Sequence, residues 1–234
     1  MPDKHLSSQF DEDLNSLCAQ LLQMGGLVEQ QVETAMRGFT ELNVDLCNEV
    51  IEREKSVNAI EVDIDSACVE LIARRQPIAR DLRLVMAISK AITNLERAGD
   101  EAERVAKRSR RIIEESSNYK INVAEIKLSG QMAIDLLRQS LDCFARLDAV
   151  AAVKVVPDDQ QIDEELRGIV RKLITYLAED PKMISTGLDL LFIAKAIERI
   201  GDHAKNIAEF VIYIVKGSDI RHTPQDNVIR EANS

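Results

Sequence analysis

The sequence contains no tryptophan, and aromatic residues make up only 3% of it. Proline is held to five and glycine to nine in 234 residues. A β-sandwich or barrel needs turn residues every ~8–12 positions and aromatic or β-branched strands between them, so these scarcities exclude a turn-rich β fold. The four cysteines, Cys18, Cys47, Cys68 and Cys143, include no C-x-x-C pair and fall within apolar helical patterns. They read as small buried hydrophobes in a reducing compartment, not as a disulfide framework or zinc site. None of the three histidines, His5, His203 and His222, follows a glutamate by three positions, which disfavours the Glu-x-x-His pairs of di-iron bundle enzymes. His203 in particular is expected at the surface.

Other absences narrow the function further. Glu49 and Glu52 give a Glu-x-x-Glu, but no Glu-x-x-Asp accompanies it, so the magnesium site of a helical nucleotide pyrophosphohydrolase is incomplete. No Ser or Cys sits in a recognisable strained turn with a base, as nucleophilic catalysis requires. The formal net charge is −10, which disfavours general binding to nucleic acid. The basic run Lys107–Arg111 is expected on the solvated side of a helix, with an acidic partner as the alternative. The longest strongly apolar, uncharged run, Phe210 to Val215, is far too short to span a bilayer, and Met1–His5 does not resemble a signal peptide. The expected location is the cytoplasm.

What is abundant is Leu, Ile, Ala, Glu, Asp and Arg at helical spacing, so the expected class is all-α. Helices are predicted over about 10–42, 43–75, 79–116, 123–146, 148–179 and 184–216. Gln76-Pro77 and Asp180-Pro181 end the second and fifth, because the residue before proline avoids the helical region. Gly217 suits the end of the sixth. Gly25-Gly26 has no turn chemistry around it and predicts close packing or a bend inside one long helix. Pro157 falls inside the fifth and predicts a kink near Val156.

The second half replays the first. Gly130 and Phe144 each follow Gly25 and Phe39 by 105 positions, and Asp180-Pro181 follows Gln76-Pro77 by 104. Three helices repeated twice predict two tandem three-helix bundles with approximate internal two-fold symmetry, divided at Ser116–Lys120 into residues 1–117 and 118–234.

Within that repeat, Glu96-Arg97-Ala98-Gly99-Asp100 returns 102 positions later as Glu198-Arg199-Ile200-Gly201-Asp202. Glu and Asp four apart share one helix face, where like charges repel, and a mid-helix glycine is unfavourable by about 0.5–1 kcal/mol. At 100° per residue, Glu96, Asp100 and Glu103 form a strip along the edge of the apolar stripe, and Glu198, Asp202 and Glu209 form its counterpart. The plain reading is a solvated edge, with Asp100 paired to Arg104 and Glu198 to Lys195. The repetition favours compensation by a hard cation, which takes oxygen ligands.

The doubled Glu-Arg-x-Gly-Asp motif stands with Met24-Gly25-Gly26 and Val28–Gln31, with Arg75-Gln76-Pro77 before Asp81–Met86, and with Glu209–Tyr213 before Val215-Lys216-Gly217. Together these resemble the PhoU family over nearly the whole chain. The resemblance implies a negative regulator of the phosphate-starvation response, not an enzyme. It implies an adaptor between the ATPase subunit of the phosphate ABC transporter and a sensor histidine kinase, reaching the membrane only through those partners, often as a homodimer. It also implies divalent or iron metal ions at Glu96, Asp100, Glu198 and Asp202. Glu103 extends the first motif, whereas Lys205 occupies the matching position of the second and Glu209 is the available substitute. A metal-free helical adaptor is the alternative, and a metal-dependent bundle enzyme stands behind both.

Overall fold

The computed structural model describes residues 8–115 and 122–217, so the expected division at Ser116–Lys120 lies outside the described residues. The described residues form α-helices and two short 3-10 turns, with no strand among them. The first bundle is α1 (Ser8–Thr40), α2 (Val44–Arg75) and α3 (Ala79–Glu115). The second is α4 (Ala124–Arg146), α5 (Ala149–Val155), α6 (Asp159–Glu179) and α7 (Ile184–Lys216). The helix predicted over 148–179 is thus two helices, parted at Pro157 by the 3-10 turn Val156–Asp158. Proline has no N–H for the helical ladder and its ring crowds the preceding turn, so α5 stops at Val155. The break starts α6 at Asp159, which is buried.

The repeat is visible in the turns. Leu42 and Leu147 both take left-handed backbone angles, φ 54° and 49°. Each is followed by a cap: Asn43 Oδ1 accepts from the backbone N–H groups of Asp45 and Leu46, and Asp148 Oδ1 accepts from that of Ala151. At the far end Gly217, at φ 80°, closes α7.

The two bundles share one interior. The most extensive helix–helix contact of the molecule joins α3 to α7, and α1 packs on α4 beside it. Small side chains are buried along both helices: Ala91, Ala98, Ala102 and Ala106 on α3, and Ala196, Ala204 and Ala208 on α7. Large aliphatics fill the remaining space, including Ile88, Ile92, Leu95, Leu137 and Leu190, each buried side chain contributing about 1.5–3 kcal/mol.

At the α1–α4 contact the repeat produces reciprocal packing. A Cβ on Gly25 would lie 2.5 Å from a methyl of Leu141, and one on Gly130 would lie 2.2 Å from that of Met36. Leu141 follows Met36 by the same 105 positions that separate the two glycines. The close packing expected at Gly25 is therefore present, whereas a Cβ on Gly26 would meet nothing within 4 Å. Gly25→Val and Gly130→Val are each expected to lower stability by about 1–3 kcal/mol, read as a shift in urea midpoint. Gly26→Ala should hold or raise it by about 0.5–1 kcal/mol. Equal effects at Gly25 and Gly26 would contradict this packing.

Candidate functional site

The two acidic motifs lie at equivalent places on α3 and α7, and each glycine admits a buried carboxylate from the middle helix of its own bundle. A Cβ on Gly99 would stand 3.1 Å from Glu54 Oε2, and one on Gly201 would stand 3.0 Å from Asp159 Oδ1. Asp159 follows Glu54 by 105 positions, so these acids are themselves repeat mates. The expectation that glycine would let a neighbour approach is met, and the neighbour is an acid.

In the first half Glu54 of α2 is 5% exposed. Gln31 of α1 donates from Nε2 to Glu54 Oε2 at 2.5 Å, and Glu54 Oε1 is buried without a hydrogen-bond partner. Burial pushes the Glu54 carboxyl up to about 7; the Gln31 hydrogen bond opposes this, and Asp100, Glu103 and Glu96 reinforce it. Glu96 is also shifted upward, by burial first and then by Asp100 and Glu61. Lys107 pairs with Glu103 at 2.7 Å, on the outer side of the group. Three carboxylates of α3 thus act on the one buried beneath Gly99.

The second half is built differently. Asp159 Oδ2 accepts from Lys205 Nζ at 3.0 Å, and its Oδ1 is buried without a partner. Lys205 also lies 4.0 Å from Asp202. It stands at the position of Glu103, so an ammonium sits between Asp159 and Asp202, where the first half has a further acid. Burial raises the Asp159 carboxyl against the pull of Lys205, and Lys205, against its own burial, is shifted upward by the hydrogen bond to Asp159 and by Asp202 and Glu209. Glu198 is raised by burial despite Lys195, whose Nζ lies 4.0 Å away. Glu209 is buried one turn beyond Lys205 and acts on it electrostatically.

Three expectations change. Arg104 pairs with Glu101 and not with Asp100, its Nη1 lying 2.5 Å from Glu101 Oε1. His203 is half-buried between α7 and α3, with Nδ1 3.1 Å from Asn94 Oδ1, and burial lowers its pKa. The Lys107–Arg111 run is not uniformly solvated, since Ser109 is buried and Arg108 reaches Asp189 of α7 at 2.8 Å. Glu54 and Asp159, which sequence reasoning missed, were marked by the repeat offset, since an acid recurs at both positions facing the doubled motif.

With this geometry in view, similarity to known proteins is informative. The profile of the PhoU domain matches residues 21–109 and again 126–211, one copy in each half. The chain belongs to the PhoU family. It is 52% identical over 233 residues to a phosphate-specific transport system accessory protein PhoU homolog of Burkholderia sp, covering 99% of both chains. It is 44% identical to the PhoU accessory protein of Escherichia coli (strain K12), covering 97% of this chain and 93% of that one. The crystal structure of PhoU from Pseudomonas aeruginosa superposes with a TM-score of 0.87 at 42% identity, covering 89% of this chain and all (100%) of that one. The PhoU regulatory protein of Streptococcus pneumoniae gives 0.83 at 25% identity, covering 90% and 98%. The fold is that of PhoU, two three-helix bundles, and the relatives' names describe transport accessory and regulatory proteins without naming a catalytic activity.

The residues present can be tested against the metal that the PhoU resemblance implies. Among the described residues no three His, Cys, Asp or Glu side chains converge tightly enough to enclose one ion. In the first half the donor chemistry nevertheless fits a hard cation: crowded carboxylates, and a buried, unpartnered Glu54 Oε1. In the second half the Lys205 ammonium already supplies positive charge to Asp159.

The raised Glu54 carboxyl carries a prediction. Its folded-state pKa lies above that of an unfolded glutamate, so the native chain holds the extra proton. Stability from this group is present below the ordinary carboxylate range and is lost as pH rises toward about 7. In chelator-containing buffer, Glu54→Gln is expected to raise stability by about 1–3 kcal/mol at pH near 8 and to change it little at pH near 4.5. Urea denaturation at both pH values measures this, and a loss of stability at the higher pH would contradict it.

Proposed function

We propose that this chain is a non-catalytic negative regulator of phosphate uptake. In this reading it couples the ATPase subunit of the phosphate ABC transporter to a sensor histidine kinase in the cytoplasm, as a homodimer, through binding alone. The observation that carries this reading is similarity over 99% of the chain to an accessory protein of the phosphate-specific transport system, with a PhoU domain in each half. An adaptor acts by differential affinity for its partners' conformations. In the host organism, deletion is expected to derepress phosphate-starvation promoters in phosphate-rich medium only where transporter and kinase are both present. Derepression in cells lacking the kinase would sink the coupling.

Metal belongs to the same proposal, and the two halves are assigned different parts in it. Glu54, Glu96, Asp100 and Glu103 would hold a divalent or iron cation, which would neutralise the crowded carboxylates and tie α2 to α3. Glu198 and Asp202, with Glu209, are the matching ligands of the second half, but an ion there must displace Lys205 from Asp159. The metal-free adaptor reading is favoured there by that built-in ammonium.

Elemental analysis of purified protein is expected to find metal that is lost in Glu96→Ala/Asp100→Ala and kept in Glu198→Ala/Asp202→Ala. Lys205→Glu, which recreates the counterpart of Glu103, is expected to about double the content. Equal loss from both double variants would refute the division of roles, and no metal in the parent chain would leave the metal-free adaptor.

A further inference from the structure

On the face where α3 and α7 meet lies a groove of about 560 Å³ that no part of the reading above uses. Arg104, Lys107, Arg108 and Arg111 form one wall, and Lys195 and Arg199 form the other. Four of these arginines are held from below by two buried acids. Glu101 Oε1 accepts from Arg104 at 2.5 Å and from Arg199 at 3.1 Å, and the Glu101 side chain is 6% exposed. Asp189, 4% exposed, accepts from Arg108 at 2.8 Å through Oδ1 and lies 3.6 Å from Arg111 through Oδ2. The guanidinium groups are thereby fixed in place with N–H groups left over, since each has five donors.

The remaining carboxylates do not close the groove. Glu103 pairs with Lys107, Glu115 with Arg111 and Glu198 with Lys195, in i,i+3 or i,i+4 pairs along their own helices. Such pairs are weak and exchangeable, whereas those to Glu101 and Asp189 are buried on the acid side. Beside the cations runs an apolar stripe on α7: Ile184, Leu188 and Phe192, four residues apart and each exposed. The Arg108 guanidinium stacks 4.7 Å from the Phe192 ring centre, joining stripe and cations into one surface.

The internal repeat supplies the comparison that separates need from use. Shifted by 102 positions, Arg104, Arg108 and Arg111 become Asn206, Phe210 and Tyr213, and Phe192 becomes Lys90. At that end of the α3–α7 contact, Asn206 bonds Asn94 and Lys90 lies over the Tyr213 ring. The fold therefore closes this junction without an arginine row, and the arginines answer to something outside it.

We propose that this groove receives an amphipathic, Asp- and Glu-rich helix of a partner protein. Its apolar face would cover Leu188 and Phe192, and its carboxylates would bridge Arg104, Arg108 and Arg111 on one wall and Lys195 and Arg199 on the other. The cations recur at about one helical turn, ~5.4 Å, over about 10 Å of α3. Carboxylates four residues apart on a helix recur at that same interval. A small anion would engage one turn and leave the stripe bare, and a nucleic acid would meet a chain of net charge −10. Seating a helix in a groove between two others is an established recognition mode. The inference rests on no part of the metal or phosphate reading.

The test uses the full chain and a fluorescein-labelled peptide of about 21 residues, three Leu-Glu-Ala-Leu-Glu-Glu-Ala repeats, followed by fluorescence anisotropy. Binding is expected, weakening with added salt and unchanged by chelator. Phe192→Ser/Lys195→Glu, which touches neither buried acid, should weaken it about tenfold or more, as should Arg111→Glu, while Lys90→Glu at the opposite end should not. No binding, or equal binding by all variants, overturns the proposal. So does equal binding of the peptide with Ser in place of Leu together with displacement by tripolyphosphate, which would make the groove a plain anion site. Purified protein that binds the peptide but carries no metal would count against the metal reading alone.

Discussion

The packing of α3 on α7 is the constraint on which the rest of the molecule depends. Theirs is the most extensive helix–helix contact of the molecule, and it joins the cores of the two bundles into one. That contact fixes what remains outside it. Residues on one flank of the contact lie at the boundary with the middle helices, where the acidic strips fall. Residues on another flank face each other across open space, and there the arginine-lined groove forms.

Around that contact the chain has twice placed a carboxylate beneath a glycine, and has answered the resulting charge in two ways. Glu54 is relieved by the Gln31 hydrogen bond and by an upward-shifted pKa. Asp159 is relieved by the hydrogen bond from Lys205, whose side chain is half-buried. A glutamate-to-lysine difference at one position of the repeat therefore places an ammonium against the buried acid of the second half where the first half has a further carboxylate. The same economy governs the groove: Glu101 and Asp189 each organise two arginines across the junction between the bundles.

Much of this was legible in the sequence, for identifiable reasons. Helix boundaries followed from Pro77, Pro181 and Gly217, because proline and glycine act locally on the backbone. The break at Pro157 and the close packing at Gly25 were legible on the same grounds, and the internal repeat gave the architecture. Side-chain partners across helices were less so. Arg104 was assigned to Asp100 by helical spacing, yet it turns to Glu101, which also receives Arg199 from the other bundle. His203 was placed at the surface because its angle on α7 could be computed, but the helix covering that face could not. Glu54 lies on α2, and its approach to Gly99 depends on the register between α2 and α3. The 105-position offset to Asp159 carried that information, and single-motif reading passed over it.

The split at Pro157 has a wider consequence. Because α6 begins afresh at Asp159, the buried acid of the second half stands in the first turn of a helix, within reach of the Lys205 ammonium. Glu54 lies in the interior of α2 and receives no such help. Two duplicated modules have thus come to differ in their sensitivity to protons and salt, so a change in the surrounding solution acts unevenly on a nearly symmetric body.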